Sequence, residues 1–193
     1  GRLVRTPRYK IEQNTQVRNA LGEINNEGLL TIHINSRYRG MQQDDLHFLV
    51  NGYSHEKQLE YLKRVLDLPN YDVVNFEYQE TKSALPVISE SLDLTALNYA
   101  SITGKRLFIL PNIISRSSSK LKADDNRKYP VSLGYEYRDI DTAIIVLPPG
   151  YQVEAMPAPV KIETKFGSYA SSVELQSNKI KYYRYMERFS GQF

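Results

Sequence analysis

The stretch Tyr129–Phe166 constrains this chain more than any other part of it. Three strand-length runs are separated by Leu147-Pro148-Pro149-Gly150 and Met156-Pro157-Ala158-Pro159. Proline cannot donate to a β-ladder and glycine accepts turn dihedrals, so these breaks read as strand ends. The same stretch holds no residue able to do covalent chemistry unaided, so it speaks for architecture rather than for a reaction.

The alternation recurs elsewhere. Leu30, Ile32 and Ile34 alternate with Thr31, His33 and Asn35, the period-2 pattern of a strand with one wet face. A polar turn at Asn25-Asn26-Glu27-Gly28 separates this run from one beginning at Val17, which predicts a hairpin. Residues 41–67 break the pattern. Leu59, Leu62, Val65 and Leu66 repeat at helical spacing, Ser54 stands at a capping position and Pro69 stops the run. Two short helices, or one broken at Gly52, are expected there. Val74, Phe76 and Tyr78 predict one strand face, and Ile88, Leu92 and Leu94 predict another strand. Leu107–Leu110 reads as a short buried run. Further strands are expected at 134–140, 142–147, 160–166, 169–175 and 180–188, the last two joined by a Ser177-Asn178 turn. In Val160–Phe166, the apolar positions and Lys161, Glu163 and Lys165 mark one dry and one wet face. The predicted fold is mainly β (α+β), an antiparallel β-sandwich with a short helical insertion around residues 41–67. Residues 1–193 read as one β-rich unit, or as two subdomains, 1–114 and 129–193, joined by a polar low-complexity loop at 115–128, the expected mobile part.

At 193 residues the chain is long enough to bury a core without a staple. Its 25 Lys and Arg against 22 Asp and Glu are too balanced to point to nucleic acid. It has no cysteine, which removes thiol nucleophiles, thiolate metal sites and disulfides together. No apolar run approaches the roughly 20 residues that span a bilayer. The opening Gly1-Arg2-Leu3, without an initiating Met, suggests a fragment excised from a longer protein.

Candidate chemistry is sparse. His33 lies on a polar strand face, and His47 and His55 lack the spacing of a zinc pair, so no metal site and no cofactor are expected. No serine sits in a nucleophile elbow. Asp139 and Asp141 would share a strand face, but a turn between two strands is the favoured reading of Asp139-Ile140-Asp141. Lys179–Tyr185 interleaves cations with aromatics, as stacking platforms do and as a solvated outer strand also does. Tyr135, Tyr137, Tyr182, Tyr183 and Tyr185 are the candidate ligand face, suited to glycan or peptide.

Four segments together carry a family resemblance: Gly1–Ile34, Arg39-Gly40, Lys105–Pro111 (KRLFILP) and Leu147–Pro157 (LPPGYQVEAMP). The chain resembles the C-terminal β-rich region of transglutaminase-like multidomain proteins common in Bacteroidetes, whose flanking domains are DUF3857 and DUF3858. The resemblance implies a non-catalytic accessory domain that packs on a papain-like Cys-His-Asp domain upstream of Arg2 and shapes access to it. It also implies a periplasmic or cell-surface location. No position here matches the family's catalytic Cys, His and Asp, and the matched Leu147–Tyr151 and Met156-Pro157 are scaffold, with Gly150 suited to positive φ. Further strand-like sequence is expected beyond Phe193. An autonomous glycan- or peptide-binding sandwich is the alternative. An exposed apolar patch near the Arg2–Lys10 lead-in would favour docking, and a concave tyrosine face would favour the alternative.

Overall fold

A computed structural model describes residues 3, 5, 6, 8–116 and 128–193. Arg2 and most of the 115–128 loop therefore lie outside the described residues. The N-terminal part runs β1 (Thr15–Ile24), β2 (Leu30–Arg39), a 3₁₀ turn (Gly40–Gln43), α1 (Asp44–Gly52), α2 (His55–Val65), β3 (Tyr71–Thr81) and β4 (Val87–Ala96). A small hairpin follows, β5 (Ser101–Thr103) and β6 (Arg106–Phe108). The C-terminal part holds β7 (Ser132–Leu133), β8 (Tyr137–Val146), β9 (Val160–Thr164), β10 (Gly167–Gln176), β11 (Lys179–Arg188) and β12 (Gly191–Gln192).

The β-rich α+β class holds. The expected two stacked sheets do not appear among the described residues; eight strands form one sheet in the order β3-β4-β2-β1-β8-β11-β10-β9. Two antiparallel four-strand halves meet at a parallel seam, where β1 pairs with β8 from Thr15 opposite Arg138 to Glu23 opposite Val146. The seam joins segments distant in sequence, and no local pattern announces such a pairing. The β1–β2 hairpin turns at Asn25–Gly28, as its turn residues require, and β10–β11 turns at Ser177-Asn178.

One face of the sheet is covered by helix and loop rather than by a second sheet. Alternate residues Ala20 and Ile24 of β1, Leu30, Ile32 and Ile34 of β2, and Leu92, Leu94 and Ala96 of β4 are buried. Leu62 of α2, Tyr99, Ala100 and Ile113 lie over them. A second cluster, Tyr38, Leu46, Leu49 and Ile88, seats α1. The helical insertion breaks where expected, and Ser54 occupies the N-cap of α2, though its hydroxyl makes no capping bond.

Four local expectations fail for physical reasons. A bulge between Val73 and Asn75 turns Val74 out to 66% exposure while Phe76 stays buried. Asp139 and Asp141 lie within the unbroken strand β8, not in a turn, because β1 and β11 pair with it on both sides. Leu107–Leu110 is not a buried run, since Phe108 and Leu110 point outward. Strand β11 is interior, between β8 and β10, rather than an outer strand.

Candidate functional site

The register places polar residues in one row across the covered face. Tyr78 of β3 stands opposite Glu90 of β4, Glu90 opposite Ser36 of β2, and Ser36 opposite Arg18 of β1. Arg18 stands beside Asp141 of β8, and Asp141 opposite Arg184 of β11. The row runs between the two apolar clusters. Arg184 Nη1 donates to Asp141 Oδ2 at 2.5 Å, and Arg18 Nη1 lies 3.9 Å from Asp141 Oδ1. Asp139, two residues earlier on the same face, lies 3.8 Å from Arg184 Nη2 and accepts from Gln42 Nε2 at 2.7 Å. Arg18 also donates to the Tyr38 hydroxyl at 3.1 Å, and that hydroxyl donates to Glu90.

These groups shift each other's ionisation. Burial pushes the Asp139 carboxyl above its usual value, against its Gln42 and Arg184 partners. Burial likewise pushes Tyr38 and Tyr78 well above the ordinary tyrosine range, and Glu90 beside each adds to it. The row is largely buried, and most of its groups find partners within it, although the Tyr78 hydroxyl and Asp141 Oδ1 have no hydrogen-bond partner. Its arrangement is that of an ordered polar layer within the core.

The five predicted tyrosines do not form one face. Tyr182 is buried on the covered face with Arg184, while its neighbour Tyr183 points to the opposite face and is 37% exposed. A strand turns successive side chains to opposite sides, so 182, 183 and 185 could not all share a face. Tyr185 lies with Tyr183, and the Arg138 guanidinium sits 5.8 Å from its ring. Tyr135 and Tyr137 come together at the start of β8, with ring centres 6.1 Å apart and Arg188 at 5.9 and 4.6 Å. His33 lies on the open face as expected, 2.7 Å from Asp93, and His47 is 2.6 Å from Glu80. Among the described residues no group of His, Asp and Glu could hold a metal ion.

An apolar concavity lies elsewhere. Lys105, β6 and the chain to Pro111 form one wall, and residues within 147–157 form the other, around a cleft of about 350 Å³. Its floor is Val173 of β10 and Ile180 of β11. Leu107, Ile109, Tyr151, Val153 and Met156 line the sides, and Phe108 and Leu110 stand exposed nearby. Gly150 adopts φ +89°, as the turn reading requires. One ion pair closes the rim, with Arg106 Nη2 at 2.8 Å from Glu154 Oε1. The cleft is therefore apolar with a charged lip, a shape suited to gripping side chains rather than to acid–base work. Its two walls come from the KRLFILP and LPPGYQVEAMP segments, of which the second reads as scaffold in the sequence.

Residues 105–192 match the family model of DUF3858, described as a Domain of Unknown Function. That segment is similar to DUF3858. It takes in β6 to β12 and every residue that lines the cleft, whereas β1 to β5 and both helices precede it. Across the parallel seam, strand β8 is completed by β1 from outside the matched segment. No curated protein and no solved structure matches the chain.

Proposed function

We propose that this chain is a non-catalytic accessory unit of a larger protein, and that its apolar cleft receives polypeptide from a neighbouring domain. The observation that carries the reading is the cleft itself: about 350 Å³, lined mainly by apolar side chains such as Leu107, Ile109, Val153 and Met156, with Arg106 and Glu154 of its lining joined in an ion pair. Exposed apolar side chains gathered around a concavity mark protein contact more often than catalysis. The neighbour implied by the family resemblance is a transglutaminase-like Cys-His-Asp domain, in a protein exported from the cytoplasm. The DUF3858 match over residues 105–192 supports the DUF3858-type part of that resemblance, and the neighbour and the export are part of the proposal.

The docking surface differs in place from the lead-in. Residues 8–14 are pinned at the other end of the sheet, where Ile11 N–H donates to Glu136 Oε1 at 3.0 Å and Asn14 Oδ1 accepts from Met41 N–H at 3.0 Å. The ten-residue strand β8 separates that end from Leu147, roughly 30 Å at the usual rise. A partner in the cleft would thus approach the end remote from the entering chain.

The test uses the parent protein that carries the upstream domain. Phe108→Asp and Met156→Lys should loosen the unit, seen as faster proteolysis of the junction and a larger radius in scattering. Each should leave the melting of the 193-residue chain within about 1 kcal/mol of wild type, as surface changes do. Unchanged proteolysis and radius in both variants would refute the reading. Activity of the upstream domain, measured with and without this unit, then shows whether docking shapes its access.

A further inference from the structure

The two edges of the eight-stranded sheet are built differently. β3 carries a bulge at Val74, and its acid Glu80 is held by His47 and Asn51 of α1 and by Lys82. Bulges and fixed charges are the usual protection of an edge. β9 has neither. All five of its residues are exposed, and among the described residues nothing pairs with its outer side.

The register shows what that outer side offers. Thr164 and Gly167 stand opposite each other across the two-residue turn Lys165-Phe166, so they exchange backbone bonds. Inward and outward groups alternate along a strand. Val160, Ile162 and Thr164 therefore bond to β10, and Lys161 and Glu163 present free N–H and C=O groups outward. The side chains alternate as well. Val160 and Ile162 lie on one face, 42% and 50% exposed, and Lys161 and Glu163 on the other, where they form a 2.8 Å ion pair.

We propose that β9 pairs with β9 of a second copy of this chain, antiparallel about a two-fold axis at Ile162. The segment Val160-Lys161-Ile162-Glu163-Thr164 is complementary to itself when reversed. The axis sets Ile162 opposite Ile162, a pair without backbone bonds and so with close side chains. It sets Lys161 opposite Glu163 and Glu163 opposite Lys161, and these two positions supply the outward backbone groups. Val160 meets Thr164. Each copy thus offers the same patch to the other, the condition for a closed two-fold dimer rather than a filament. Lysine on an edge strand ordinarily repels a partner; here the two-fold gives each lysine a carboxylate. The edge is short, so the dimer belongs to the small, transient class of interface. This pairing does not depend on what fills the cleft.

Sedimentation velocity of the 193-residue chain over a concentration series tests it. Wild type should form a concentration-dependent dimer. Glu163→Lys sets lysine opposite lysine at two places and should weaken dimerisation about tenfold, roughly 1.4 kcal/mol. The swap Lys161→Glu with Glu163→Lys should restore it, because every opposed pair is again of opposite charge. Both sites are exposed, so thermal melting of each variant serves as a check that the fold is intact. Because the chain has no cysteine, Ile162→Cys should form an oxidative cross-link with itself, while Lys161→Cys should not. A wild-type chain that stays monomeric, a dimer indifferent to Glu163→Lys, or a loss that the swap fails to recover would each overturn the proposal. Recruitment of another protein's strand to β9 in place of a second copy would do the same.

Discussion

Replacing Asp139 and Asp141 by asparagine, one at a time, should shift stability in different directions although the two share a face of β8. The buried row holds three carboxylates, Glu90, Asp139 and Asp141, against two guanidiniums, Arg18 and Arg184. Asp141 is the charge that both guanidiniums use, Arg184 at 2.5 Å and Arg18 at 3.9 Å. Removing one partner of a buried pair costs about 3–5 kcal/mol. In Asp141→Asn, Arg184 still has Asp139 at 3.8 Å, which places the loss near the lower end, about 3 kcal/mol. For a chain of this size that is a fall in Tm of about 6–12 °C. Asp139 is the carboxylate in excess. Its folded pKa is raised by burial, so the folded state holds that proton more tightly than the unfolded chain does. Its charge therefore costs stability as pH rises from the ordinary value of 3.8 through the folded value. Asparagine removes that cost and still accepts from Gln42. Asp139→Asn should match or exceed wild type by up to about 1 kcal/mol at neutral pH. The difference should fade in acid, where Asp139 is itself neutral. Urea unfolding with unchanged m-values reads both effects. The reasoning fails if Asp141→Asn costs less than about 1 kcal/mol, or if Asp139→Asn costs as much as Asp141→Asn.

Alkaline pH should unfold this protein steeply. Burial raises Tyr38, Tyr78 and Tyr182 above the ordinary value of 10.0, so stability is whole below that pH and is lost above it, as the unfolded chain sheds protons the folded one keeps. Up to three protons give a slope of about 4 kcal/mol per pH unit, visible as tyrosinate absorbance rising together with loss of structure; a flat stability above that range would refute it. Gly28→Ala should cost about 3 kcal/mol or more, since its Cβ would lie 2.3 Å from the Ala100 carbonyl oxygen at φ +78°. Gly150→Ala, at φ +89° in open space, should cost only the backbone penalty of about 1–2 kcal/mol; thermal melts compare the two. Arg106→Ala should change stability by less than about 1 kcal/mol, because its bridge to Glu154 is exposed on both sides.

Much of the fold was legible because its signals are local. Leu30, Ile32 and Ile34 announce a strand by alternation, Asn25–Gly28 a turn, and Leu59, Leu62 and Leu66 a helix face. What was not legible depends on partners far along the chain. Asp139-Ile140-Asp141 resembles a turn because nearby residues cannot show that Arg18 and Arg184 arrive from β1 and β11 to pair with the acids. The candidate tyrosine face failed for a different reason, since grouping by residue type ignored the strand period that separates Tyr182 from Tyr183. The cleft walls were quoted as motifs, yet their prolines carried turn information only. That two turn-rich segments stand face to face over Val173 and Ile180 is a tertiary fact.

The parallel seam also sets the order in which this molecule can assemble. As the chain emerges, the β1–β2 hairpin closes early, but the outer side of β1 has no strand to bond until β8 has been synthesised. Until then the outward-facing backbone groups of alternate residues along the ten-residue β1 have no strand partner. Loop-closure entropy makes such long-range pairing slow, and nascent or refolding chains spend that interval most open to mispairing with one another.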